Sequence, residues 1–207
     1  MGKLDLTKQY KAYYTATNEP QLITFTEVPY LSIQGIGDPD GQQYADKLQA
    51  LYSAAYAIKF QCKDLGKDFT VAKLEGLWSF NENKYAHIGI AEAPLKIPRS
   101  EWSYRMMIRL PEFVTPEQVN AVIQQVLEKK QLLLVKEVHF HKMTEGKVIQ
   151  ILHTGPFANE PETLQKIQQF SEAHGLQKNG LHHEIYLSDF RKTAPEKLKT
   201  ILREPVK

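Results

Sequence analysis

Val148-Ile149-Gln150-Ile151-Leu152-His153-Thr154-Gly155-Pro156-Phe157-Ala158-Asn159-Glu160-Pro161-Glu162 is the stretch that decides the fold. Val148 to Leu152 is rich in β-branched residues and reads as a strand, which Gly155-Pro156 breaks. Asn159-Glu160-Pro161-Glu162 then opens a helix with Leu164, Ile167 and Phe170 inward, ending near Gly175. His182 to Leu187 is the next strand and Leu198 to Leu202 the last, although Thr193-Ala194-Pro195-Glu196 can also start a short helix.

The same order of elements stands earlier in the chain. Tyr30 to Gly35 reads as a strand, with a break at Pro29, and Gly37-Asp38-Pro39-Asp40-Gly41 is dense turn chemistry. A helix follows from about Gln42, with Tyr44, Leu48, Leu51, Tyr52, Ala55 and Tyr56 at helical spacing and Gly66 at its end. Phe69 to Phe80 is a strand containing Glu75, and Trp102 to Leu110 another, stopped by Pro111. Asn81 to Lys84 and Ala91 to Arg99 read as loops. Each half therefore runs strand, helix, strand, strand, an internal repeat over roughly 28–112 and 132–206, and predicts an α+β fold.

Between the halves, Thr115-Pro116-Glu117-Gln118 carries a capping hydroxyl, a proline at the first helical position and a Gln at the third. Val119, Val122, Ile123, Val126 and Leu127 form its apolar stripe. Leu132 to Val135 and Val138 to His141 read as short extended pieces, and Glu145-Gly146 as a hairpin turn. The first 20 residues are polar apart from Tyr10, Tyr13 and Tyr14 and read as a lead-in.

Composition narrows the function. The 207 residues hold 26 Lys and Arg against 24 Asp and Glu, a formal charge of +2, which is less lopsided than phosphate-binding domains carry. Direct nucleic-acid binding is therefore not expected. The single cysteine, Cys62, excludes an intrachain disulfide and a cysteine-based zinc site. No stretch is apolar enough for a membrane span, and the opening Met1-Gly2-Lys3-Leu4-Asp5-Leu6-Thr7 lacks a signal core, so a cytoplasmic location is expected. The unusual item is ten Tyr, nine Phe and two Trp, several of them beside acidic residues.

Two strand carboxylates are the strongest candidates for chemistry. Glu75 lies in Leu74-Glu75-Gly76-Leu77-Trp78 and Glu184 in His183-Glu184-Ile185-Tyr186-Leu187. A glutamate in an apolar strand is solvated, paired, or set in a cavity. In the last case burial raises its pKa and makes it a proton acceptor or an anchor for a cation. Alternation puts Glu184 and Tyr186 on one face, and sets Trp78 opposite Glu75 unless a bulge at Gly76 re-aims it. Trp102 and Tyr104 share a face, either as core or as walls of a box for a flat or cationic molecule. His139-x-His141 and His182-His183 lack a third ligand at defined spacing, so neither a metal nor another cofactor is expected.

At these residues the sequence resembles the GyrI-like small-molecule-binding family, in its stand-alone group without a DNA-binding domain. Leu74-Glu75-Gly76-Leu77-Trp78, Trp102-x-Tyr104, His153-Thr154-Gly155-Pro156 and Glu184-Ile185-Tyr186-Leu187-Ser188-Asp189 carry the resemblance, as does the ending Thr193 to Thr200. Phe190 departs from it, standing where the family tends to have proline. The resemblance implies a single GyrI-like, SOUL-like domain over 1–207, with two pseudo-twofold-related units and a ligand cleft between them. Glu184 matches the family's glutamate at the cleft floor, with Glu75 as its repeat partner. The group also resembles cyclopropanoid hydrolases, which open the strained ring of DNA-alkylating compounds inside an aromatic cage. That implies Glu184 as the catalytic residue, and Trp102, Tyr104, Tyr186, Glu75 and Trp78 as ligand-binding residues. Two alternatives stand beside it: sequestration or sensing of aromatic or cationic drugs without turnover, and recognition of a macromolecule through sheet edges.

Overall fold

The computed structural model describes residues 2–207; Met1, at the head of the stretch read for a signal, lies outside them. Six strands, β1 (Gln21–Ile36), β2 (Leu74–Ser79), β3 (Ser103–Arg109), β4 (His139–Thr154), β5 (His182–Tyr186) and β6 (Lys199–Pro205), pair antiparallel throughout. They close into a barrel in the order β1-β3-β2-β5-β6-β4. Five α-helices accompany them: α1 (Leu6–Gln9), α2 (Gln42–Asp64), α3 (Ala93–Lys96), α4 (Pro116–Lys130) and α5 (Glu160–Ala173). The first half of the chain supplies β1, β3 and β2 as adjacent staves of the α+β barrel, with α3 between β2 and β3, and the second half supplies β5, β6 and β4. Closure through β1–β4 and β2–β5 pairs each strand on both sides over part of its length, while β1 before Tyr30 and β4 before Val148 pair on one side only.

Three local readings change, each for a backbone reason. Pro29 does not break β1, which runs unbroken through it. Its carbonyl accepts from Leu110 N at 2.9 Å, so its nitrogen faces the same side, at the point where β3 ends, and the missing N–H costs the ladder only its terminal bond. Glu145-Gly146 is not a hairpin: β4 continues, with Phe25 opposite Gly146 and Glu27 opposite Thr144. Gly146, at φ +70°, kinks the strand and reverses its alternation, so Glu145 as well as Gln150 points into the barrel. The strand expected over Phe69 to Phe80 is regular only in β2, because Phe69 lies outside it and bridges to Leu4. Leu133–Glu137 is 3-10 rather than extended, and the loop over Ala91 to Arg99 contains α3. The cap on α4 forms as read, with Thr115 and Gln118 closing a reciprocal capping box.

Outside the barrel, α5 lays Leu164 and Ile167 on Ile149, Ile151 and Leu202, while Tyr44 of α2 reaches Met106. Helices thus cover the face that carries Met106, Leu202 and, by alternation, Glu184. The interior is unusually polar. Arg203 donates to Glu145 at 3.0 Å and to Gln150 at 3.1 Å, and His183 donates to Glu145 at 2.8 Å and to Glu75 at 3.1 Å. The lead-in plugs this interior. Tyr13, 4% exposed, donates to Glu75 at 2.6 Å and accepts from Tyr30, and the Tyr14 hydroxyl lies 3.4 Å from Glu75. Both nitrogens of His183 thus meet a carboxylate, which only an imidazolium can serve with two N–H donors.

Burial by itself would lower the pKa of His183, but the charge and hydrogen bond of Glu145, then those of Glu75, outweigh it and push it up to about 9. A proton held more tightly in the folded state stabilises the fold fully below the ordinary value near 6.5. That stability is lost as pH rises through about 9, a difference of roughly 3 kcal/mol. Urea midpoints are accordingly expected to fall from pH 6.5 to pH 9.5. A midpoint flat across that range would show His183 to be neutral in the fold.

Candidate functional site

The outer face of β2, β3, β5 and β6, beneath the start of α2 and the turn before α5, gathers most of the candidate residues. Antiparallel register sets Trp78 against Tyr104, Gly76 against Glu184 and Trp78 against His182. These pairs share one face through regular alternation, with no bulge at Gly76. The glycine serves another purpose: a Cβ there would lie 2.9 Å from the Trp78 Nε1 and 3.2 Å from Met106, so the indole folds back over bare backbone. Gly35 does the same for Tyr104, whose ring would stand 2.3 Å from a Cβ. Gly35→Ala is expected to push the Tyr104 ring off the floor and to cost about 1–3 kcal/mol as overpacking, read as a lower melting midpoint. A midpoint within the error of the unsubstituted protein would show the ring free to move aside.

The aromatic side chains form a continuous cluster. Tyr44 stacks on Trp78 with centroids 6.3 Å apart and meets Tyr104 edge-on at 5.0 Å. Trp78 lies 5.8 Å from Tyr104 and donates through Nε1 to the Tyr186 hydroxyl at 3.0 Å. Trp102 stands at the rim, just outside β3, edge-on to Trp78 at 6.3 Å, and its Nε1 donates to the Ile97 carbonyl at 3.3 Å. Phe157, in the turn before α5, meets Tyr186 edge-on at 5.9 Å.

Charge gathers beside these rings. His182 Nδ1 is hydrogen-bonded to Glu204, and its Nε2 lies 3.4 Å from Glu184. The Glu184 side chain is 13% exposed. Glu160, the first residue of α5, is buried with one carboxyl oxygen unpartnered. Burial first, and then the charge of Glu184, hold the Glu160 carboxyl well above the ordinary range. Burial tends to deprotonate His182, but the charge of Glu204, the nearby Glu184 carboxylate and the hydrogen bond to Glu204 prevail and push it up to about 10. Burial and the charge of Glu184 keep Tyr186 protonated as well.

Of the residues singled out in the sequence, Glu184, Tyr186, Trp78, Tyr104 and Trp102 come together here. Glu75 does not. Paired with Ile185 rather than with Glu184, it points into the barrel, fully buried and held by Tyr13 and His183, where it cannot line the same site. Tyr44, Phe157, Glu160, His182 and Glu204 join the site without having been singled out as ligand contacts. Helical and strand spacing announced only their elements; the convergence of α2, α5 and β6 on Glu184 is tertiary. The side chains are packed against one another over Glu184. Two open hollows of about 600 and 620 Å³ lie elsewhere, one beside Lys136 and His139, the other beside Phe80 and Lys178.

His139 accepts at Nε2 from Arg105 at 3.0 Å, since a guanidinium only donates, and its Nδ1 donates to the Glu137 carbonyl at 3.1 Å. Both nitrogens are thus used in hydrogen bonds. Among the described residues, no group of three or more His, Cys, Asp or Glu is placed to hold a metal ion, and no helix is long and apolar enough to cross a membrane.

Comparison with known proteins gives a consistent picture. The sequence signature of the GyrI-like small molecule binding domain matches residues 110–207. A protein from Listeria innocua described as uncharacterized and conserved is 36% identical, over 99% of this chain and 100% of its own, with a TM-score of 0.88. A second Listeria innocua protein, described as a hydrolase, is 35% identical over the full length of both chains, with a TM-score of 0.86. The C-terminal domain of EcmrR shares the fold at 12% identity, with a TM-score of 0.56 over 91% of this chain and 97% of its own. No curated protein matches.

Proposed function

Starting from its membership of the GyrI-like small-molecule-binding family, we propose that this chain is a hydrolase that opens the strained ring of flat, cyclopropane-bearing electrophiles at Glu184. The observation that carries the reading is one carboxylate, Glu184, set beside a continuous aromatic cluster and a second, buried carboxyl, Glu160, whose proton burial holds more tightly than usual. The description of two similar Listeria proteins as hydrolases supports turnover rather than binding alone.

In the chemistry proposed, Trp78, Tyr104 and Tyr186 hold the flat ring system by stacking, with Trp102 at the rim. A water molecule attacks the least hindered cyclopropane carbon while Glu184 takes one of its protons. The C–O bond forms as the strained C–C bond breaks, and the released electron pair moves onto the conjugated carbonyl, which takes up a proton and becomes a hydroxyl. One water is added and nothing is oxidised or reduced. Ring strain drives the step, so the protein has mainly to place the water and exclude other nucleophiles. Destroying such an alkylator protects the cell that meets it.

Incubation with yatakemycin, followed by mass spectrometry, tests the reading. Catalytic appearance of a product heavier by one water is expected, at far less than one protein per substrate. Stoichiometric protection with no hydrated product would instead identify a binding protein.

A further inference from the structure

We propose that His182, pinned across the sheet by Glu204, is the positioning residue of this site, which holds the Glu184 carboxylate toward the ligand. The inference rests on the catalytic reading of Glu184 and adds a residue pair to it.

The backbone dictates the arrangement. Residues 182 and 184 fall on one face of β5, and one step on from the His183–Arg203 pair the register sets His182 opposite Glu204. The imidazole thus lies between two carboxylates, one at each nitrogen: Glu204 at Nδ1, and Glu184 at Nε2, 3.4 Å away. Two flanking acceptors can be served only by an imidazolium, since a neutral ring has one N–H. The contact to Glu204 is closed. The one to Glu184 is longer, and Nε2 has no hydrogen-bond partner although it is buried. A donor fixed at one end and unsatisfied at the other is aimed at the carboxylate that meets the ligand.

The neighbouring histidine supplies the control. His183 also bridges two glutamates, but on the inner face, fully buried, with both contacts closed at 2.8 and 3.1 Å. That bridge holds the barrel together. His182 repeats the device one residue earlier, and alternation turns it outward to the aromatic site.

The groups facing His182 are Glu184 and Tyr186 on β5, Glu204 on β6 and Glu160 on α5, with Tyr44 of α2 close to Glu184 and Tyr186. Three carboxyl groups surround one cation. Without the imidazolium, Glu184 would stand in the field of Glu204 with nothing to balance it.

The test compares the full-length protein with His182→Gln and Glu204→Gln. Nitrogen-15 NMR of the unsubstituted protein at pH 8 should show both His182 nitrogens protonated, and in Glu204→Gln that ring should titrate at clearly lower pH. With yatakemycin, His182→Gln should lose on the order of 10- to 100-fold in kcat and shift the acid limb of the pH profile toward neutrality. Glu204→Gln should show the same changes in weaker form. Binding of ethidium, a flat cation, should be unchanged or tighter in His182→Gln, whereas simple loss of structure would weaken it. Turnover and pH profile equal to the unsubstituted protein in His182→Gln would overturn the inference while leaving the catalytic reading intact. If the unsubstituted protein fails to hydrate yatakemycin, the catalytic reading falls and the NMR decides the rest: a His182 titrating near 6.5 overturns the bridge.

Discussion

Glu184→Gln is expected to keep ligand binding within a few fold and to lower yatakemycin hydration by roughly 10²- to 10⁴-fold, the usual worth of a positioned general base. The substitution keeps the shape and the hydrogen-bonding reach of the side chain, so the stacked rings above it have no reason to move. What it removes is the capacity to accept a proton from water. Glu204 does not replace it, because it is engaged with His182. The comparison is made by single-turnover mass spectrometry beside a binding titration on Trp fluorescence. Unchanged turnover in Glu184→Gln would remove Glu184 from the chemistry. Equal losses in binding and turnover would make it a ligand anchor instead.

The second large effect concerns stability and involves no residue of the site. Glu145→Ala is expected to cost about 3–5 kcal/mol, the typical penalty for removing one partner of a buried ion pair. Glu145 accepts from both His183 and Arg203 inside the barrel, and Arg203 is fully buried. Its loss leaves one carboxylate, Glu75, for two buried cations. Arg203 cannot shed its proton, so relief has to come from His183, whose pKa should drop. The variant should therefore lose the His183 share of the decline in stability toward pH 9, while the His182 share remains, as well as its overall margin, both read from urea melts at several pH values. A cost below about 1 kcal/mol would show that the interior tolerates an unbalanced charge, contrary to the cost of burying unpaired ions.

The elements that were legible share one property: their signals are local. The Thr115 capping box, the helix from Gln42 closed by Gly66, and the helix opening at Glu160 each depend on residues a few positions apart, and all three form. Strand parity was equally legible, since it correctly set Trp78 opposite Glu75 and put Glu184 with Tyr186. The misread elements needed a partner strand. Pro29 is harmless only because β3 ends beside it, and Glu145-Gly146 continues a strand only because β1 is long enough to pair with both sides of the kink.

For the site, the sequence by itself determined which residue types were unusual: strand glutamates among aromatic residues, with two adjacent histidines before one of them. It also determined, through two-residue periodicity, that Glu184 and His182 share a face. Which face looks outward was decided only by barrel closure. Closure sends Glu75, His183 and Arg203 into an enclosed interior, and turns His182, Glu184 and Glu204 toward the helices. Two glutamates that look alike along the chain thus part company, one a structural counter-ion and the other the proposed base. Periodicity assigns a side chain to one of two faces, but only the curvature of the closed sheet makes one of them the inside.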